Sequence, residues 1–482
     1  MTFHLGLDFG TTGARACVVD ASHAIVHQGH IAYPVPGILH PGSGQASTPL
    51  DWREALLTLL GRLPVPVATQ IHGIAIAATS ATVLLCDDEL EPISPALLYS
   101  DNRAYIEAAA LKKIAPPEHT VCSATSGLAK FLWLTRHNDL ANAAHFMHQA
   151  DWLAALLTGL GGMSDYHNAL KSGYDAERLC WPDWVLRLPH VHLLPQVIAP
   201  GATIATINPS MARHFKINPA CTVHAGTTDS IAAFIAADGV TRCAQAFGAR
   251  APSICLAVTS DLTGAVGSSS RMAADSINNA SGAGVNEPGA AVTSLGTTIV
   301  IKLLSEQRIE AAQYGVYSHR YGDMWLVGGA SNAGGGVLRQ HFSDAQLAEL
   351  SARIDTASDS PLDYYPLPCP GERFPMNDPV LAPRPARLDT GQVTPRPADD
   401  AAFLHGLLQG LSRIEAAGYA RLAELGATQL KSVTTCGGGA KNMAWKNMRE
   451  RLIGVPITEA QHAGAAYGAA LLAKRMGIRS GN

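Results

Sequence analysis

Three glycine-rich turns hold the residue types that could handle phosphate. The first is Asp8-Phe9-Gly10-Thr11-Thr12-Gly13-Ala14-Arg15, between two apolar runs. A turn this rich in Gly and Thr lets backbone N–H groups and hydroxyls approach phosphate oxygens closely. Asp8, at the end of the first run, is suited to hold Mg²⁺ through water, because Mg²⁺ takes few carboxylates and keeps several waters. The stretch also reads as an ordinary hairpin turn. A second copy, Gly296-Thr297-Thr298, again between apolar runs, favours the phosphate reading. Two such turns could grip one phosphate chain from both sides.

Gly226-Thr227-Thr228-Asp229-Ser230 opens an apolar helix over 231–237. Thr and Asp are common in a first helical turn, so capping alone accounts for them. Beside the phosphate turns, Asp229 becomes the natural base, because phosphoryl transfer needs a carboxylate to orient and deprotonate the attacking hydroxyl. The third turn is Thr435-Cys436-Gly437-Gly438-Gly439-Ala440-Lys441-Asn442. A tight strand-to-helix connection needs one Gly and rarely three. Three would let a flat ligand lie on the backbone, with Asn442 hydrogen-bonding a purine edge. The spacing is not that of a Walker A loop. There is no G-x-G-x-x-G, G-x-S-x-G or H-E-x-x-H motif, and the 19 His are scattered.

These turns need elements to position them. Residues 4–8 and 16–20 read as strands flanking the first turn. A helix is expected from Pro49, capped by Ser47 or Thr48, with Ala55, Leu56, Leu59 and Leu60 on one face and Gly61 as its stop. Residues 74–85 read as a buried strand pair around Thr79-Ser80, and 103–160 as mostly helical. Strands follow at 221–225, 291–295, 299–303 and 432–436. Leu404, Leu407, Leu408, Leu411, Ile414, Leu422 and Leu425 predict a long amphipathic helix over 401–425, capped by Gly426. The order argues α/β with two related halves.

Composition narrows the function. At about 100–200 residues per domain, 482 residues predict two to four domains. With 47% hydrophobic and 15% charged residues, the chain is neither disordered nor fibrous. A net charge of -4 and no basic stripe argue against a nucleic-acid partner. Nine scattered cysteines without C-x-x-C argue against a disulfide framework or zinc site and for the cytoplasm. The N-terminus has no signal-peptide pattern. The longest uncharged stretch, 65–86, is broken by polar residues and does not read as a membrane span.

With these residues placed, the sequence resembles the FGGY family of carbohydrate kinases, from the superfamily of sugar kinases, actin and heat-shock ATPases. The likeness runs from Leu5 to about Lys474. It rests on Asp8-Phe-Gly-Thr-Thr12, Pro95-Ala-Leu-Leu-Tyr-Ser-Asp101-Asn-Arg103, Asp151-Trp152 with Leu157-Thr158-Gly159, and then Gly226-Thr-Thr-Asp229, Ser294-Leu-Gly-Thr-Thr298 and the Gly437–Gly439 turn. The resemblance implies two ribonuclease-H-like domains around a cleft. Residues 1–225 would form the mainly sugar-binding side and 226–476 the mainly ATP-binding side. It implies ATP and Mg²⁺, with Asp229 as catalytic base and Asp8 and Asp229 at the metal. Gly10, Thr11, Thr12, Arg15, Gly296, Thr297 and Thr298 would lie near the phosphates. Gly438, Gly439 and Asn442 would lie near the adenosine.

The substrate implied is a small sugar. Xylulose kinases carry Gly-Gln-Met-His-Gly where this chain has Ala77-Ala-Thr79-Ser80-Ala81. The Thr-Ser step, Tyr314–Arg320 and Trp325–Asn332 are closer to the ribulose kinases of cyanobacterial and plant-plastid type. Candidate sugar contacts are Thr79, Ser80, Asp101, Arg103 and Asp229, although an Asp-x-Arg pair can also just tie a loop. The expected reaction is D-ribulose to D-ribulose 5-phosphate. D-xylulose is the alternative substrate, and a non-catalytic sensor the alternative of another class. No nucleic-acid or membrane partner is expected, and a homodimer is compatible with the sequence. Residues 238–281, rich in Ala, Ser and Gly, read as an insertion between the base and the second phosphate turn.

Overall fold

The computed structural model describes residues 1–33, 48–117, 119–238, 287–385 and 396–474. Apart from its first residue, the 238–281 insertion lies outside them. Two six-stranded sheets organise the chain. The first contains β1 (Phe3–Phe9), β2 (Gly13–Val19), β3 (Ile25–Ala32), β4 (Ile71–Ala78), β9 (Thr203–Thr206) and β10 (Thr222–Thr228), in the order β3-β2-β1-β4-β10-β9. The second contains β11 (Ala290–Leu295), β12 (Ile299–Ser305), β13 (Tyr317–Tyr321), β14 (Met324–Ala330), β15 (Ser432–Cys436) and β16 (Ile457–Glu459), in the order β13-β14-β12-β11-β15-β16. Two small ladders pair β5 (Val83–Cys86) with β6 (His145–His148), and β7 (Met163–Asp165) with β8 (Gln196–Ile198).

The two sheets repeat one design. β1 is antiparallel to β2 and parallel to β4, just as β11 is antiparallel to β12 and parallel to β15. The Gly-Thr-Thr turns are the equivalent hairpins, so the sequence echo is a duplication of topology. Every residue of β1 is buried, as for a strand covered on both faces, whereas β3 at the sheet edge is half exposed. The α/β architecture with two halves is as the sequence predicts.

Several expected elements form with shifted bounds. Thr48 caps helix Pro49–Gly61 in a reciprocal capping box with Asp51, and Gly61 is its last residue, followed by Arg62 at the C-cap. The long helix spans Asp400–Glu424, and Gly426 follows at φ +93°. The segment 103–160 holds helices Tyr105–Leu111, Gly127–His137 and Gln149–Thr158, interrupted by β6. The strands around Thr79-Ser80 do not pair with each other. β4 belongs to the first sheet and β5 pairs with β6, because the turn between them, with Ala81 at φ +60°, redirects the chain.

Helices Asp229–Asp238 and Ala465–Lys474 lie between the sheets. Their apolar faces share one core with Cys17, Val19 and Ala75 of the first sheet and Val292, Leu304 and Leu326 of the second. The packing depends on missing side chains. A Cβ on Gly468 would sit 1.9 Å from the Ala232 carbonyl oxygen, and one on Gly6 would sit 2.0 Å from that of Ala466. The helix that starts with Asp229 is therefore pressed onto the last helix, and the last helix onto β1.

Candidate active site

Register brings the first set of candidates together. Asp8, Ala77 and Thr227 lie side by side on β1, β4 and β10, and Phe9, Ala78 and Thr228 form the next row. The three strands are parallel, so their carboxyl ends release the Gly10 turn, the Thr79-Ser80 turn and Asp229 at one edge. Neighbouring strands are about 4.8 Å apart, which places these three groups within one substrate's reach. Open α/β sheets bind ligands at such strand ends. A bulge in β10 between His224 and Thr227 aims its end; a Cβ on Gly226 there would sit 1.9 Å from the Ile76 carbonyl oxygen.

Asp8 is buried, and one carboxylate oxygen faces the Arg15 guanidinium at 3.4 Å. The other oxygen has no protein partner. Burial, and then the charge of Asp229, push its carboxyl up to about 7 against the pull of Arg15. Asp229 accepts a hydrogen bond from the Ser230 N–H at 2.7 Å. Burial pushes its carboxyl up; the Ser230 N–H, Lys171 and Lys302 oppose it. The Thr228 and Ser80 hydroxyls are also buried without partners. Two repelling carboxylates, one with an unused oxygen, fit a divalent cation. Among the described residues no three His, Cys, Asp or Glu side chains converge as a closed cage. That donor set suits Mg²⁺, which keeps most of its waters.

In the first turn the Gly10 N–H donates to the Gly13 carbonyl at 3.0 Å, leaving Thr11 and Thr12 exposed. Thr79 differs from Ser80. Its hydroxyl donates to Gln149 Oε1 at 2.8 Å and meets the Thr82 hydroxyl at 2.6 Å, which in turn accepts the Tyr99 N–H at 3.0 Å. Thr79 thus braces the turn, while Ser80 presents a hydroxyl. Asp101 and Arg103 pair with each other: Nε lies 2.9 Å from both carboxylate oxygens, and the guanidinium lies over Trp133 at 5.2 Å. That is the geometry of a loop tie.

The second and third turns meet at the carboxyl ends of β11 and β15, where Ser294 lies opposite Cys436. The Gly296 N–H donates to the Thr298 carbonyl at 3.1 Å. Gly335 and Gly336 N–H groups donate to the carbonyls of Gly296 at 2.9 Å and Thr297 at 3.0 Å, fixing the loop from outside. Gly437, at φ +89°, could carry no Cβ, because it would meet the Leu295 carbonyl at 2.6 Å. Gly438 is open to within 3.7 Å of Arg339, and Gly439 backs onto Trp445. Asn442 caps helix Met443–Ile453: its Oδ1 accepts the Trp445 N–H at 3.0 Å, and its Nδ2 donates to the Ser351 hydroxyl at 2.8 Å. Its amide is therefore engaged in holding the turn. Beneath both strands lies a buried ion pair. Arg449 Nε and Nη2 reach the two Glu415 oxygens at 2.5 and 2.8 Å, Nη1 reaches Thr435 Oγ1 at 2.9 Å, and the Thr293 hydroxyl donates to Glu415 at 2.6 Å.

A second cluster next to Asp229 escaped the sequence reading. The Lys302 and Lys171 ammonium groups lie 5.0 and 4.9 Å from the Tyr317 ring centroid, and Lys302 approaches His319 Nδ1 at 3.4 Å. Burial would push the Tyr317 hydroxyl up, but the two lysines outweigh it and bring it down to about 8. Burial, then Lys302, keep His319 neutral. His167 donates from Nε2 to the Arg320 carbonyl at 2.7 Å, so its Nδ1 accepts from the Thr227 hydroxyl at 2.7 Å. That imidazole ties the strand before Asp229 to β13. Lys302 carried a signal: it is the one charged residue in Ile299–Ser305, a strand otherwise apolar up to Ser305 and buried at every position but Val300.

Comparison with known proteins follows the same division. Residues 3–236 match the N-terminal domain of the FGGY family of carbohydrate kinases, and residues 291–476 its C-terminal domain. The chain belongs to the FGGY family. Kinases of this family use ATP. The Streptomyces coelicolor xylulose kinase is 28% identical over 244 residues, 48% of this chain and 49% of that protein. The Staphylococcus epidermidis (strain ATCC 12228) xylulose kinase is 22% identical over 494 aligned positions, covering 97% of this chain and 87% of its own length. The Shouchella clausii ribulokinase is 26% identical over 286 positions, half of each chain. A solved xyloylose kinase from Brucella ovis superposes with a TM-score of 0.72 at 21% identity, covering 98% of this chain and 90% of that one. The FGGY fold expected from the sequence is therefore present across both matched segments. Among the described residues, no helix is long and apolar enough to cross a membrane.

Proposed function

We propose that this FGGY protein transfers the γ-phosphoryl group of ATP to the terminal hydroxyl of a ketopentose, D-ribulose. The observation that carries the reading is the row of groups at the carboxyl ends of β1, β4 and β10. There Asp8 on β1, Ser80 in the turn after β4 and Asp229 at the head of the helix after β10 emerge at one edge of three adjacent parallel strands, and Asp8 and Ser80 each keep a polar atom without a protein partner. Asp229 accepts the proton of the attacking hydroxyl. Ser80 and the free oxygen of Asp8 hydrogen-bond the sugar or the ordered waters around it. Gly10, Thr11, Thr12, Arg15, Gly296, Thr297 and Thr298 border the phosphates, and Gly438 and Gly439 leave room for the adenosine. A bound Mg²⁺ would be held by Asp8 and Asp229 through water and would neutralise phosphate charge. Lys302 and Lys171 add fixed positive charge beside the base, which favours its ionised form. The lobe of the first sheet, which runs through β10 to Thr228 and so past the expected boundary at 225, is the sugar side, and the lobe of the second sheet the nucleotide side; closure of the two excludes water, so transfer prevails over hydrolysis.

Ribulose is preferred over xylulose because Thr79-Ser80 replaces the Met-His pair of xylulose kinases, and a site that hydrogen-bonds its substrate rejects mismatched epimers. The xylulose kinase names among the relatives favour D-xylulose as the second reading. Sugar-dependent ADP release with Mg-ATP decides, measured on D-ribulose, D-xylulose, L-ribulose, L-xylulose, ribitol and glycerol. Asp229→Ala is expected to abolish transfer and retain ATP binding by calorimetry. Turnover of that variant near the wild-type rate would refute the mechanism, and preference for D-xylulose would refute the substrate.

A further inference from the structure

Two segments border the acceptor side: the Thr79–Thr82 turn, which presents Ser80, and the Leu98–Arg103 loop. They are joined by a bridge between Val83 and Leu97 and by the Tyr99 N–H on the Thr82 hydroxyl. A third connection comes from a different element. Lys130, on helix Gly127–His137, has no exposed surface. Its ammonium donates to the Ala81 carbonyl at 2.8 Å and to the Leu98 carbonyl at 2.6 Å.

This lysine is an unusual choice for mere packing. Its hydrogen-bond partners are two neutral carbonyls, and burying a charge without a contacting carboxylate is costly. An apolar side chain of similar length would fill the space but leave the Ala81 carbonyl without this donor. What the ammonium adds is direction, since one group draws two backbone carbonyls from separate segments to a single point. The Ala81 carbonyl belongs to a residue held at φ +60°, a conformation that costs a non-glycine residue about 1 kcal/mol or more. Gln149 holds the same turn from its other side through Thr79. Ser80, between the two anchors, is left with the turn's one unpartnered hydroxyl.

We propose that Lys130 is a positioning residue for acceptor recognition: by clamping the Ala81 and Leu98 carbonyls together it fixes the Ser80 turn against the Asp101 loop, and so sets which pentulose epimer the site accepts. The proposal rests on the pentulose kinase reading above. Lys130 does not touch substrate; it acts through Ser80 and the loop. Misplacement of a binding group by about 1 Å can cost on the order of 100-fold in rate, so a loosened turn would lose discrimination between epimers before it lost the reaction.

The test is Lys130→Met, with Lys130→Gln as the second variant should the first fail to fold. For each, kcat/KM is measured on D-ribulose and D-xylulose. Their ratio is independent of the fraction of protein folded, so a stability loss alone leaves it unchanged. The expected result is a roughly tenfold or greater fall in the ratio, a raised sugar KM, and an ATP KM within about twofold of wild type, since the hydrogen bonds of Lys130 go to Ala81 and Leu98 and not to the Gly10, Gly296 or Gly437 turns. Equal losses on both sugars would overturn the proposal. Hydrogen–deuterium exchange supplies a readout that needs no activity: amides at 79–83 and 98–103 should exchange faster in both variants, with those of β11 and β15 unchanged. If the wild-type protein phosphorylates neither pentulose, the functional reading fails, and unchanged exchange in the two segments would sink the clamp independently.

Discussion

Removing the guanidinium at position 449 tests how the Gly296 and Gly437 turns are held. In Arg449→Met, the buried Glu415 carboxylate loses contacts at 2.5 and 2.8 Å and keeps the Thr293 hydroxyl at 2.6 Å. Thr435 loses its 2.9 Å contact as well. Breaking a buried ion pair by deleting one partner costs about 3–5 kcal/mol, most of it the penalty of the charge left behind. The lobe concerned matches its family domain over residues 291–476. For a unit of that size, 1 kcal/mol moves the melting temperature by about 2–4 °C. The expected fall is therefore about 6–20 °C in the transition of that lobe, read by calorimetry. Adding Glu415→Gln removes the stranded charge, so the double variant should melt above the single one, although Thr293 and Tyr419 keep a polar partner in both. A single variant melting within about 2 °C of wild type would refute the account, as would a double variant less stable than the single.

The other expectations follow from particular contacts. Ser80→Ala should raise the sugar KM roughly 2–13-fold, the worth of about one hydrogen bond at 0.5–1.5 kcal/mol, and leave ATP binding unchanged; titration calorimetry with each ligand reads both. The Asp8 carboxyl is raised from 3.8 to about 7 on folding, so the folded state binds this proton more tightly. Its contribution to stability is present at acid pH and is lost as pH rises from about 4 through 7. If Mg²⁺ binds there, its gain in melting temperature should be larger at pH 8 than at pH 5, and an equal gain at both would contradict the assignment of Asp8. Gly468→Ala should lower both the melting temperature and the activity, because the new Cβ would start 1.9 Å from the Ala232 carbonyl and push away the helix led by Asp229. Overpacking of this kind costs about 1–3 kcal/mol. Unchanged activity would show that Asp229 does not depend on that crossing.

What the sequence made legible was local. Gly-Thr-Thr marks the strand ends at 10–12, 226–228 and 296–298, and the leucine period over 404–425 marks a helix without reference to its neighbours. Strand type could be read in the same way, and the duplicated turns even disclosed the duplicated sheets. Long-range partners were not legible. Lys130 meets Ala81, Gln149 meets Thr79 and Arg449 meets Glu415 across dozens of residues, and no periodicity encodes such meetings. The same limit explains why Thr79 and Ser80 looked equivalent, since only the fold shows that Gln149 and Thr82 engage the first hydroxyl. Asn442 looked like a purine contact for a related reason. An Asn before a helix is a cap by local rules, and three preceding glycines drew attention to the ligand instead. Lys302 could have been caught, because a lone lysine inside a buried strand needs a partner or a function.

The close crossing of the last helix with the first strand has a consequence for how the protein is made. Residues 465–474 follow every other described element, yet they cover Cys17, Val19 and Ala75 in a sheet whose strands are among the first to be synthesised. That sheet therefore waits with one apolar face uncovered while the second lobe is built. Contacts this far apart in sequence are slow to form, since the whole intervening loop must close first. The nascent first lobe should be the stage at which aggregation competes with folding, and a ribosome stalled before residue 465 should hold a chain that chaperones still recognise.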